Sequence, residues 1–424
     1  MLYNILDYNA VGDGITKCTK AIQSAINDCS ITGGRVYIPS GIFLSGSLRL
    51  LSNVELYLDK GAVLRSSLDE EDMIDFSKDF VDDNADTGWE GGCFLFACHE
   101  QNITIQGMGV IDGQGREVFY DDEPLEAEHE CPLNVRGFRP RLSFLEDIEN
   151  LVIKDVTFYD AAFWTLHMAG CRKVRIENIV IDNNRRAPNT DGIDPDCCSD
   201  VIIRGCKITS GDDAVVIKST APMYEKYGES RDIVINSCIL STSCSAIKIG
   251  TETYGDIHDI IISDCIIRDC IRGIGIWSRD GGDIYNIVAH HIIGSVRNYS
   301  DSSTRTEGIY SWWGEGDPVF MSSAQREGVD RIPGIIHDIN IDNLNMTAEN
   351  PVLILGEDYS PIQRVTITNS RILLKKVSSK QKLIADERPS KRGRYEIESM
   401  SICKREVRDL ITDITFIKDK SFSF

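Results

Sequence analysis

Ile153-Lys154-Asp155-Val156-Thr157-Phe158 is a short, β-branched stretch that returns along the chain. Copies begin at Ile176, Ile203, Ile235, Ile262, Ile341 and Ile367, with a weaker one at Ala289. Over the first five, the leading residues stand 23, 27, 32 and 27 apart. Each copy alternates as a strand should, and Asn, Asp, Gly or Ser follows it as a turn former. A helical repeat would place apolar residues three and four apart, and these segments do not. A period in this range means stacked supersecondary units. The pattern predicts an all-β fold, a single-stranded right-handed parallel β-helix. This is a solenoid in which each coil adds a rung of roughly 4.8 Å.

A solenoid grows along one axis without splitting, so the 424 residues read as a single domain. Residues 1–65 are its N-terminal cap and first strands, 102–373 its repeat coils, and 374–424 its C-terminal closure. In the cap, Ala21, Ile22, Ala25 and Ile26 have helical spacing and Gly33-Gly34 closes the run. A helix there would cover the open end of the solenoid. Residues 35–39 and 54–58 read as the first strands. Residues 66–101, 114–141 and 298–332 are too polar and irregular for coils, and read as loops beside a groove.

The net charge of −21 argues against nucleic acid and anionic membrane as partners. No run is long and apolar enough to span a membrane. The opening, Met1-Leu2-Tyr3-Asn4-Ile5-Leu6-Asp7, has neither a basic nor an apolar targeting region. Of the 14 cysteines, Cys206, Cys238 and Cys265 hold one position in successive repeats and read as small core residues. Together these features point to a reducing, cytoplasmic setting. Cys197 and Cys198 are adjacent and the seven histidines are scattered, so no metal or cofactor is expected.

Aligning the coils places the chemistry. Ile193, Val215, Ile247 and Ile274 stack toward the core, as do Pro195, Ile217, Ile249 and Ile276. Between them fall Asp194, Val216, Lys248 and Gly275, then Asp196, Lys218, Gly250 and Trp277, on the outer face. The bland reading is solvated charge with an Asp196–Lys218 pair between rungs, worth about 0–1 kcal/mol. At the strand starts stand Asp191, Asp213, Ser245 and Arg272, with Asp212 beside Asp213. Gly211 permits a bend that brings both aspartates out. Crowded carboxylates cannot all ionise, so one stays protonated, which supplies an acid and a base at one pH. Taken alone, three aspartates near turns are also ordinary turn formers.

Asn189-Thr190-Asp191-Gly192, Gly211-Asp212-Asp213 and the solenoid resemble family 28 of the glycoside hydrolases, the polygalacturonase family. Asn9-Ala10-Val11-Gly12-Asp13-Gly14 and Val36-Tyr37-Ile38-Pro39-Ser40-Gly41 resemble the same group. The likeness runs over roughly residues 1–375. It implies a right-handed β-helix that hydrolyses pectic polymers with inversion. The general acid then falls on Asp212 and the water-activating bases on Asp191 and Asp213. Two motifs depart: the family's Gly-His-Gly falls on Cys244-Ser245-Ala246, and its Arg-Ile-Lys on Gly275-Ile276-Trp277. The candidate substrate-binding residues are Asn189, Asp194, Lys218, Ser245, Lys248, Trp277 and Arg279. Trp277 is expected to stack on a sugar face, and Lys218, Lys248 and Arg279 to offer cations.

The expected function is an inverting glycosidase acting on a plant-cell-wall, pectin-type oligosaccharide. A cytoplasmic site implies short fragments and exo-action. Two other readings remain open. A polysaccharide lyase or epimerase would need calcium-binding carboxylates and a Lys or Arg base, and a non-catalytic carbohydrate binder would not need the aspartates.

Overall fold

The structure is a computed structural model and describes residues 1–75, 92–121, 131–299 and 311–422. Its main sheet is a parallel ladder wound into coils. One column runs Tyr3, Val36, Leu56, Ile105, Ile153, Ile176, Ile203, Ile235, Ile262, Ala289, Ile341, Ile367 and Thr412. Each is the register partner of the next. Every repeat start read from the sequence stands in it, the weak copy at Ala289 included. A second column, on another face, carries Phe43, Leu64, Ile111, Phe158, Ile181, Ile208, Leu240 and Ile267. The inward residues of both columns bury completely or nearly so from Val36 to Ile367. A buried Ile or Phe contributes about 1.5–3 kcal/mol, and here each one packs on its own kind above and below.

The corners between faces use left-handed residues. Asp200, Asp232, Asp259, Asn286 and Asp338 have φ of 54–57° at one corner, and Asn178, Ser237, Asp264 and His291 take 54–56° at the next. Asn and Asp tolerate that conformation because a short polar side chain can bond locally. Cys206, Cys238 and Cys265 follow the second corner, buried and in line, and all 14 cysteines are free thiols.

Helix Thr19–Thr32 buries Ile22, Ala25, Ile26 and Cys29 against the first coils, and Gly33 ends it at φ 71°. Among the described residues, no helix is long and apolar enough to cross a membrane.

Two of the three expected loops are partly coil. Strand Gly92–Gly107 pairs with Arg141–Lys154, so the rung begins inside 66–101. Strand Asp317–Ser323 pairs with Arg272–Ser278 and Val352–Leu355, a rung inside 298–332. Residues 92–98 of the first and the whole of the second are buried on both faces and so lack the alternation that marks a half-exposed strand. The rest of those stretches includes 76–91, 122–130 and 300–310, which lie outside the described residues. In the C-terminal part, Ile402–Arg405 and Val407–Lys418 form a last coil. Strands Ile384–Asp386 and Arg394–Glu396 pair antiparallel and fold back over an outer face.

Candidate active site

The third face carries the candidate residues. Its rungs are Leu166–Ala169, Ile193–Asp196, Val215–Ser219, Ser245–Thr253, Arg272–Ser278, Asp317–Ser323 and Val352–Leu355, each paired with the next. Ile193, Val215, Ile247 and Ile274 are successive register partners, as the sequence alignment requires.

Asp191, Asp212 and Asp213 come together at the strand starts. Gly211 is required there because its neighbour coil is close, since a Cβ on it would stand 2.0 Å from the Ala187 carbonyl. The expected bend is thus a matter of space and not of left-handed backbone. The Asp213 N–H donates to Asp212 Oδ1 at 3.0 Å, and the Asn189 N–H donates to Asp212 Oδ2 at 3.2 Å. Asp213 Oδ1 accepts from the Ser245 N–H at 3.0 Å, and its Oδ2 from Lys248 Nζ at 2.7 Å. Asp191 Oδ1 and Ser245 Oγ are buried with no hydrogen-bond partner among the described residues. One oxygen each of Asp212 and Asp213 and the Cys244 sulfur lie within 4.8 Å of one another. That is a metal-type donor set, but Lys248 already supplies positive charge to it.

The environments push these carboxyls apart. Burial raises Asp212 above the ordinary range, and the neighbouring Asp213 charge adds to this. Burial also acts on Asp213, but the Lys248 charge and hydrogen bond outweigh it and hold this carboxyl low. Asp191 is raised by burial and by Asp212 and Asp194. A raised acid beside a depressed one is the pairing that general acid–base chemistry needs.

The other predicted residues divide. Lys218 and Asp196 are register partners, yet the ammonium turns to Asp194 Oδ1 at 3.3 Å, with Asp191 at 3.9 Å and Glu252 at 4.0 Å. It also stands 4.0 Å from the centre of the Trp164 ring. Asp196 instead accepts from the Thr220 N–H and hydroxyl at 2.9 and 2.7 Å.

Trp277 and Arg279 are corrections. Both point outward from the sheet, but the C-terminal segment covers them. Trp277 is 2% exposed and packs with Phe320, Leu353, Leu355 and Ala385, so its face is not offered to a sugar. Arg279 is fully buried, and its guanidinium donates to Pro389 O, Ser278 O, Ser322 O, Ser322 Oγ and Glu387 O. It fastens the covering segment and has no donor left for a ligand. The sequence shows which face a side chain takes but not what lies on top.

Three residues near the trio were missed. Arg139 donates to Pro188 O at 2.9 Å and Asn189 Oδ1 at 3.2 Å, and so holds the residue whose N–H meets Asp212. It lies in a long excursion without pattern. Glu252 faces Lys218 from beyond the regular part of its strand. Cys244 occupies a place where the motif would have glycine.

The sequence model of family 28 of the glycosyl hydrolases matches residues 64–293, more than half of the chain. The chain belongs to family 28. A second model, rhamnogalacturonase A/epimerase, pectate lyase-like, matches residues 2–63. A probable polygalacturonase of Vitis vinifera is 30% identical over 266 residues, 59% of this chain and 51% of that protein. The chain thus spans about half the length of the curated relatives it matches. The family 28 fold is also evident in solved structures. An exopolygalacturonase from Thermotoga maritima superposes with a TM-score of 0.65 at 20% identity, covering 97% of this chain and 92% of the other. The family 28 exopolygalacturonase of Yersinia enterocolitica gives 0.70 at 18% identity over 99% and 78%.

Proposed function

We propose that this protein is an inverting glycoside hydrolase that removes residues from one end of a pectin-type oligosaccharide. The observation that carries the reading is the unequal setting of the neighbours Asp212 and Asp213: Lys248 Nζ meets Asp213 at 2.7 Å and holds it low, while burial raises Asp212. In this mechanism a water held by Asp191 and Asp213 attacks the anomeric carbon. The glycosidic C–O bond breaks, its electron pair stays with the leaving oxygen, and that oxygen takes the Asp212 proton. The water proton passes to Asp213, and exchange with solvent resets both groups. Family membership supports inversion. One oxygen each of Asp212 and Asp213 lie within 4.8 Å of one another, shorter than the roughly 6.5–9.5 Å acid-to-base span of inverting enzymes, so inversion here rests on family membership and not on that distance. NMR of the first sugar released is expected to show the opposite anomer to that of the substrate. A retained anomer would remove the single-displacement scheme.

Exo-action is supported by covers on both sides of the trio. Helix Ala221–Tyr227 lies over Phe96, Phe144 and Ala169 through Met223 and Tyr227. Segment 384–397 lies over Trp277, Phe320, Leu353 and Leu355. Between them are the rungs Ile193–Asp196, Val215–Ser219 and Ser245–Thr253. A long polymer lying along the axis would run under one cover or the other. The helix Thr19–Thr32 serves as the N-terminal cap in this reading, and the free thiols accord with a reducing compartment. A lyase or epimerase with a lysine base would need it unprotonated, whereas carboxylates hold Lys218 and Lys248 above the ordinary lysine range against the effect of burial.

The pH profile tests the assignment. Activity needs Asp213 ionised and Asp212 protonated, so it falls on the acid side as Asp213 gains a proton and on the basic side as Asp212 loses one. Lys248→Met removes the charge that holds Asp213 low, so the acid limb of kcat/KM is expected to move toward neutral pH. An acid limb that stays in place would show that Asp213 is not the base.

A further inference from the structure

We propose that the sugar bound at the reacting position is uncharged: a neutral pyranose at the end of the fragment and not a uronate. This rests on the glycosidase reading and adds the substrate class to it. Lys248 is committed to Asp213 at 2.7 Å. Lys218 is shared by Asp194, Asp191 and Glu252. Arg272 is buried against Asp317 at 2.9 Å, and Arg326 against Asp280 at 2.7 Å.

The balance of charge points the same way. Asp191, Asp194, Asp212, Asp213 and Glu252 surround two lysines. Burial raises Asp191 and Asp194 and the neighbouring carboxyls add to this, so the charges that remain are Asp213 and Glu252, already matched by the two lysines. A substrate carboxylate would have to draw Lys218 or Lys248 away from a carboxyl it already meets, in a desolvated place.

Space closes the remaining route. Gly275 and Trp277 form a matched pair, in which a Cβ on Gly275 would meet the indole Cζ3 at 2.2 Å and Cη2 at 2.4 Å. The indole lies across the glycine, filling the room a cationic side chain at 275 would use. The pair is packed under segment 384–397, so it is a wall and not an empty subsite. Arg139 stands beside Asp212 and is bonded to Pro188 O and Asn189 Oδ1.

The test reads binding apart from turnover. D-Galactose, L-rhamnose and D-galacturonate are titrated against the wild-type protein and against Glu252→Gln by calorimetry at neutral pH. The wild type is expected to bind the better neutral sugar at least about tenfold more tightly than galacturonate, the scale of one close charge repulsion. In Glu252→Gln, Lys218 loses one of its three carboxylates, and the gap is expected to narrow several-fold. Galacturonate binding as tightly as the neutral sugars would overturn the proposal, whether or not the protein hydrolyses anything. A gap unmoved by Glu252→Gln would overturn the role given to that carboxylate. Tight binding of a neutral sugar with no cleavage of its glycosides would leave the specificity standing and remove the glycosidase reading instead.

Discussion

Asp212→Asn is expected to lower kcat by at least about 10²–10⁴-fold while the protein keeps its fold and its melting temperature. The amide has the carboxyl's shape, and its one oxygen can still accept from the N–H of Asn189 or of Asp213, which lie 3.2 and 3.0 Å from the two carboxyl oxygens. It cannot give a proton to the leaving oxygen. The loss should be largest on natural glycosides, whose leaving alcohols are poor, and smallest on activated aryl glycosides that depart unprotonated. That contrast separates loss of an acid from loss of a positioning contact. A variant retaining more than about a tenth of the wild-type rate on a natural glycoside would show that the acid lies elsewhere.

Asp317→Ala is expected to cost about 3–5 kcal/mol of stability, read as a lower urea midpoint. Asp317 is fully buried and accepts from Arg272 Nε at 2.9 Å and Asn350 Nδ2 at 2.6 Å. Burial pushes its carboxyl above the ordinary range even with Arg272 alongside, so the pair adds little net stability by itself. The cost comes from the stranded guanidinium, which is 1% exposed and would keep only the carbonyls of Trp313 and Asp386. The Asp386 contact belongs to the covering segment, so limited proteolysis near residues 384–397 should speed up in the variant. A change below about 1 kcal/mol would mean that Arg272 finds water or another partner.

The coils were legible because their strands bury one face only. Ile176, Ile203, Ile235 and Ile262 recur against polar neighbours, so period and register could both be read. Residues 92–98 and strand Asp317–Ser323 were not, because burial on both faces leaves no alternation to see. The aspartate trio was legible because its residues stand at fixed places in the repeat. Trp277 and Arg279 were misjudged for a different reason. Their direction followed from strand parity, but their burial depends on a segment more than a hundred residues later in the chain. Arg139 was invisible because its role depends on a loop path, and no local pattern encodes one.

The left-handed corners have a consequence for how the chain can change length. Asp232, Asp259 and Asn286 stand 27 residues apart, and so do Ser237, Asp264 and His291. One residue inserted within a strand would turn the rest of that strand inside out, driving charge into the core. The same residue added in a connecting loop leaves both flanking corners where they were. Excision of 27 residues between like corners would bring aspartate against asparagine and cysteine against its successor, as before. The coils therefore act as teeth on a rack. The chain admits small changes only in the gaps, and large ones only a whole tooth at a time.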